Sequence, residues 1–237
     1  MILAAIDIGS NAARLLITEV IPTEKKTQFE KLNLVRVPLR LGFDVFERKE
    51  ISPEKANMLL NTIRSFRYLM DAYGVSHCKA AATSAMRDAR NSAELIESVR
   101  EATGIEIEVI SGDDEASFIY ENHIAENLDR ENAYLYIDVG GGSTELTCFA
   151  DNHLLFKKSF NIGTIRLLKN QVTEAHWDGM KDFLKKEIRG MVKHLTAIGS
   201  GGNINKGFSL SKRKDGKPLS LDLLKDYYKE LSSFPVE

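Results

Sequence analysis

The sequence predicts an α/β protein built from two copies of one domain, each organised on a mixed rather than purely parallel β-sheet flanked by helices. Short apolar strands alternate with amphipathic helices through the first half. The run Ala5-Ile6-Asp7-Ile8-Gly9-Ser10-Asn11 is echoed by Tyr136-Ile137-Asp138-Val139-Gly140-Gly141-Gly142-Ser143, the mark of an internal duplication. In both places an apolar strand delivers an aspartate to its end, a glycine turn follows and a second strand returns. Each half therefore opens on a hairpin.

Taken in order, residues 3–8 read as a short buried strand and 13–20 as its return. Ser52 and Pro53 supply an N-cap and a first-turn proline; Met58, Leu59, Ile63, Phe66 and Leu69 recur at helical spacing, and Gly74 stops the pattern. Residues 78–83 make a strand feeding Ser84-Ala85-Met86-Arg87. Asn91 and Glu94 match a capping box for a helix ending at Gly104. A strand over 105–110, a turn at Gly112 and an amphipathic helix over 113–128, acidic in its first turn as the helix dipole favours, follow. The second half opens on a buried strand over 134–139 with its return over 144–149, and a helix is expected over 219–231.

A chain of 237 residues fits two domains, 1–120 and 121–237, with the boundary near the 113–128 helix. Lys and Arg number 32 against 34 Asp and Glu, so a net charge of −2 gives no global attraction to nucleic acid or an anionic membrane. Any anion site must be local. No apolar run reaches the ~18–20 residues of a membrane span, and the opening stretch has no basic flank and carries Asp7. Cys78 and Cys148 stand far apart without ligand spacing, which argues against disulfides or zinc and for a cytoplasmic setting.

Gly9-Ser10-Asn11 and Gly140-Gly141-Gly142-Ser143 can each present backbone N–H groups and hydroxyls to an anion. Either alone also reads as a hairpin turn. Facing one cleft, they would grip a phosphate chain from two sides, with Asp7 and Asp138 as oxygen ligands for Mg2+ or its waters.

Five ordered motifs resemble those of the exopolyphosphatase and guanosine pentaphosphate phosphohydrolase family: Asp7 to Asn11 with Arg14, Ala82 to Asn91, Ile110 to Ala116, Asp138 to Leu146, and Asn161 to Leu167. The resemblance spans nearly the whole chain and implies duplicated actin-like (ribonuclease H-like) domains. It also implies that Glu115, in Gly-x-x-Glu-Ala, is the catalytic base and that Glu145 is a second important glutamate. Phosphoanhydride hydrolysis needs a positioned water, a proton acceptor and cations for the phosphate charge, which suits these carboxylates. Without the motif, Glu115 also reads as a first-turn helix glutamate and Glu145 as an exposed strand residue.

The expected metal set is Asp7, Asp138 and Glu145. Arg87 is the favoured phosphate-reaching guanidinium, while Arg90 reads as a solvated helix arginine. Arg14 either braces its turn or contacts phosphate. Ala197-Ile198-Gly199-Ser200-Gly201-Gly202-Asn203 resembles the glycine-rich segment that packs against adenosine in actin-like ATPases, but two threonines of the family pattern are replaced by Ser200 and Asn203. The segment equally reads as a structural turn. The basic residues Lys206, Lys212, Arg213, Lys214 and Lys217 read as a solvated loop rather than a steering patch. Family members continue past the 219–231 helix, so the second domain is expected to be truncated. The expected substrate is polyphosphate or a guanosine polyphosphate; a homodimer is left open. An actin-like-fold kinase and a non-catalytic phosphonucleotide sensor are the competing functions.

Overall fold

In β1 (Ile2–Ile8), alternation sends Ala4, Ile6 and Ile8 into the core. The computed structural model describes residues 1–23, 27–112, 114–115, 132–151, 153–190, 194–213 and 217–234. Strand β1 returns through β2 (Ala13–Pro22) and β3 (Thr27–Val37), both antiparallel. After α1 (Leu41–Arg48) and α2 (Pro53–Ala72) the chain re-enters as β4 (His77–Ala82), parallel to β1, followed by α3 (Ser84–Asp88), α4 (Ser92–Thr103) and β5 (Ile107–Val109). The sheet order is β3-β2-β1-β4-β5.

The second half repeats this plan with β6 (Asn132–Val139), β7 (Thr144–Ala150), β8 (His153–Phe160), α5 (Thr164–Leu168), α6 (Glu174–Ile188), β9 (His194–Ser200), α7 (Gly202–Leu210) and α8 (Leu221–Ser232). Its sheet, β8-β7-β6-β9, again joins an antiparallel hairpin to a parallel strand. The offset that carries Asp7 onto Asp138 also carries Arg14 onto Glu145 and the Ile17/Thr18 bulge onto the Cys148/Phe149 bulge. Two mixed sheets flanked by helices and duplicated in this way are the actin-like, ribonuclease H-like arrangement.

The larger core lies under the first sheet, where α2 contributes Leu59, Ile63, Phe66 and Met70 and α4 contributes Leu95 and Val99. Ile165 of the second half is buried in this same core. Under the second sheet, Phe183 of α6 meets Phe156 and Phe160 edge-on at 5.4 and 5.5 Å.

Most expected elements appear close to their expected bounds. Others were not read from the sequence, among them β3, α1, β8 and α6. The capping box at Asn91 is replaced: the Asn91 side chain accepts from the Ile51 N–H (3.0 Å) and donates to the Ile51 carbonyl (2.9 Å), tying α4 to the loop before α2. The strand expected over 105–110 is shorter, Ile107–Val109. Gly112 is helical rather than a turn, because Ser111 caps this helix: its hydroxyl donates to Asp114 (2.7 Å) and accepts the Asp114 N–H (3.1 Å). Residues 116–128 of the expected helix, and the expected boundary at 120/121, lie outside the described residues.

Candidate active site

Both hairpin turns are closed in the same way. The Gly9 N–H donates to the Ala12 carbonyl at 3.0 Å, and the Gly140 N–H to the Ser143 carbonyl at 2.9 Å. The two turns sit side by side on one cleft of about 360 Å³, which both Gly9, Ser10 and Asn11 and Gly140, Gly141, Gly142 and Ser143 line. Ser84, at the start of α3, joins its hydroxyl to that of Ser10 at 2.7 Å, both buried. Thus β1, the β4–α3 junction and the β6–β7 turn meet at the cleft floor.

Four carboxylates line this cleft: Asp7, Glu115, Asp138 and Glu145. Glu115 is brought in by the helix that Ser111 caps, and its Oε2 is buried without a hydrogen-bond partner among the described residues. Burial, then the Glu145 charge, then the more distant Asp7 and Asp138 lift its pKa to about 8, against the opposing pull of Arg87. Glu145 is almost fully buried on β7 and accepts a hydrogen bond from Ser159 Oγ on β8 at 2.8 Å. Burial raises its pKa too, despite the hydroxyls of Ser143 and Ser159. A Cβ on Gly112 would lie 2.5 Å from Ser159 Oγ, so a glycine here lets the Glu115 helix approach β8, whose Ser159 hydroxyl holds Glu145.

The expected cations occupy different places. Arg14 pairs with Asp7 at 2.7 Å, across the strand pair in which the two are register partners. Arg87 is not at the cleft wall; its Nη1 donates to the Ile110 carbonyl at 2.7 Å, close enough to both glutamates to favour their charged forms. Arg36, opposite Arg14 on β3, lines the cleft and makes no ion pair with another described residue. Gly201, Gly202 and Asn203 also line the cleft, with Gly201 at φ 105° and only 2.6 Å available between a Cβ and the Val139 carbonyl. Arg90 lies on the surface, and Lys206 and Arg213 are exposed. Among the described residues no three His, Cys, Asp or Glu side chains are grouped closely enough to hold an ion directly.

The sequence pattern of the Ppx/GppA phosphatase family matches residues 20–213. This chain belongs to the Ppx/GppA phosphatase family. It is 32% identical over 232 residues to a bifunctional 3-dehydroquinate synthase/phosphatase of Fusobacterium nucleatum, covering 90% of this chain and 34% of that protein. Exopolyphosphatase 1 of Mycobacterium tuberculosis is 29% identical over 169 residues, covering 71% of this chain and 48% of that one. The chain thus spans a third to a half of the length of these two relatives. Crystal structures of the Aquifex aeolicus Ppx/GppA family member (TM-score 0.75, 25% identity, covering 99% of this chain and 80% of that one) and of a Cytophaga hutchinsonii exopolyphosphatase (0.76, 26%, 98% and 80%) superpose on it.

Several Ppx/GppA site neighbours were not assigned a role from sequence. Ser84 lay inside a quoted motif; its signal was a hydroxyl directly after a strand end. Arg36 and Ser159 become visible only once the edge strands β3 and β8 are in register. No helix among the described residues is long and apolar enough to cross a membrane.

Proposed function

We propose that this protein is a phosphoanhydride hydrolase that releases phosphate from polyphosphate or a guanosine polyphosphate in the cleft between two domains, 1–120 and 121–237. The observation that carries this reading is the buried, unpaired Oε2 of Glu115 facing a cleft walled by two glycine turns. In its ionised form, a carboxylate held this way can accept a proton from a water placed beside it. The Gly9 and Gly140 turns cradle the phosphate chain by their backbone N–H groups. Glu145, fixed by Ser159, orients the water, and Arg87 moderates both glutamates from behind.

The donor set suits a divalent cation. All four groups are hard carboxylate oxygens lining one cleft, the donor chemistry that suits Mg2+, an ion that keeps several of its waters. Asp7, Asp138 and Glu145 would hold a hydrated Mg2+, which supplies positive charge against the phosphate oxygens. Exposed Arg36 is placed to take a phosphate further along the chain.

The test is phosphate release from polyphosphate and from guanosine pentaphosphate, with magnesium and with excess chelator, in parallel with ATP plus hydroxyl acceptors. Hydrolysis that needs magnesium and falls ~10²–10⁴-fold in Glu115→Gln is expected. Transfer to an acceptor would point to the kinase alternative, and tight binding without turnover to the sensor.

A further inference from the structure

At the seam between the two halves, glycine lets the second glycine turn approach the first half closely. A Cβ on Gly142 would fall 2.2 Å from Ser84 Oγ and 2.6 Å from Phe46 Cζ, and one on Gly141 would fall 3.2 Å from Ser10 Cβ. Backbone from the second half is therefore pressed directly on α1 and α3 of the first. One buried charge crosses this seam. Arg166 on α5 is 7% exposed; its Nε donates to the Gly142 carbonyl at 2.6 Å, its Nη2 donates to Asp88 at 2.6 Å, and its guanidinium stacks over the Phe46 ring at 4.1 Å.

Each contact uses a different property of the side chain. The carbonyl and the carboxylate need two donors in a fixed fork, and the ring needs a flat, weakly hydrated cation. Arg166 does not line the cleft. Its partners nevertheless are the cleft's supports. Gly142 belongs to the second turn, and Asp88 ends α3, the helix whose first residue, Ser84, bonds Ser10 of the first turn. A second pair, Lys169 with Glu47, ties the same two helices α5 and α1 further out.

We propose that Arg166 is a positioning residue that locks the second glycine turn onto the first half and so sets the spacing of the two phosphate-binding turns. Its kinetic consequence rests on the hydrolase reading; its structural consequence does not. Loss of the lock frees the second half to rotate away, and misplacing reacting groups by about 1 Å costs on the order of 10²-fold in rate.

The test uses the whole chain with nitroxides at Glu54 on α2 and Lys185 on α6, both exposed, in a Cys78→Ser background because Cys78 is the exposed thiol. Wild type should give one narrow distance distribution. Arg166→Gln should broaden or lengthen it and reduce kcat ~10–100-fold with little change in KM. Asp88→Asn, which leaves the Phe46 and Gly142 contacts in place, serves if Arg166→Gln does not fold. It should act in the same direction, and the double variant should lose little more than the worse single one. A narrow, wild-type distribution with full kcat in either variant overturns the lock while leaving the hydrolase reading intact; fully additive losses overturn it too. Absence of phosphate release by wild type, with broadening in the variants, leaves the lock standing and removes the hydrolase reading.

Discussion

Replacing Gly142 by alanine introduces one methyl group where the structure has room for none. The new carbon would sit 2.2 Å from Ser84 Oγ, 2.8 Å from Ser84 Cβ and 2.6 Å from Phe46 Cζ. Ordinary contact begins near 3.4 Å, so something must move by about 1 Å. Phe46 and Ser84 are both buried, and Ser84 cannot shift without breaking its 2.7 Å bond to Ser10. Overpacking of this kind costs about 1–3 kcal/mol and the lost hydrogen bond about 1 kcal/mol more, for a total of about 2–4 kcal/mol. In a chain of this size that corresponds to a fall in Tm of roughly 4–16 °C. Thermal unfolding followed by circular dichroism reads it, and phosphate release should fall with it because the two turns are pushed apart. Adding Ser84→Gly should restore part of the loss and no more, since the Phe46 contact remains. A Gly142→Ala protein that melts with wild type and hydrolyses normally refutes the packed seam.

Three further outcomes follow from the site. Because burial and then Glu145 raise Glu115 to about 8, the folded protein keeps a proton that the unfolded chain gives up near pH 4.5. Stability from this group is thus full below about pH 4.5 and is lost as pH rises to about 8. The urea midpoint of wild type relative to Glu115→Gln should fall across that range in the absence of magnesium, and a constant difference contradicts the assignment. Arg36→Gln should raise KM about fivefold, the equivalent of ~1 kcal/mol for an exposed charge contact, with kcat kept and the effect shrinking at high salt. An unchanged KM removes Arg36 from the substrate path. Asp7→Ala should raise the magnesium needed for half-activation by ~10-fold or more, yet shift Tm by only a few degrees, since the Asp7–Arg14 pair is half-exposed. Equal magnesium titrations in the two proteins would free Asp7 of that role.

The legible part of the fold was its periodic part. Strands β1, β2, β4, β6 and β7 are short apolar runs, and α2 carries both a serine cap and a proline start. Strand β3 escaped because it is an edge strand with Glu30, Lys31 and Arg36 among its apolar positions. Helix α1 escaped because it has no start signal: Arg40 precedes it in the left-handed conformation without a side-chain cap, and only eight residues follow. In the site, the two turns, Glu115 and Glu145 could be found from local motifs. Arg36 could not, because it lies on β3, which was itself missed, and its place is set by pairing with β2. Arg166 stood in a quoted motif, but its task lies in contacts to Asp88, Phe46 and Gly142, which only the folded chain brings together.

The register of the two hairpins gives the cleft a direction. The two hairpins share one register, yet the position facing the strand-end aspartate is Arg14 in one and Glu145 in the other. The first hairpin therefore neutralises itself, and Arg36 beside it leaves that wall inclined to anions. The second hairpin stacks one acid upon another and inclines its wall to cations. A single exchange of charge in a doubled scaffold thus turns two equivalent sockets into a pole and its counter-pole. In the proposed hydrolase, a phosphate chain has one favourable way to lie along that axis, with its reacting end at the acidic wall beside Glu115 and its tail toward the arginines.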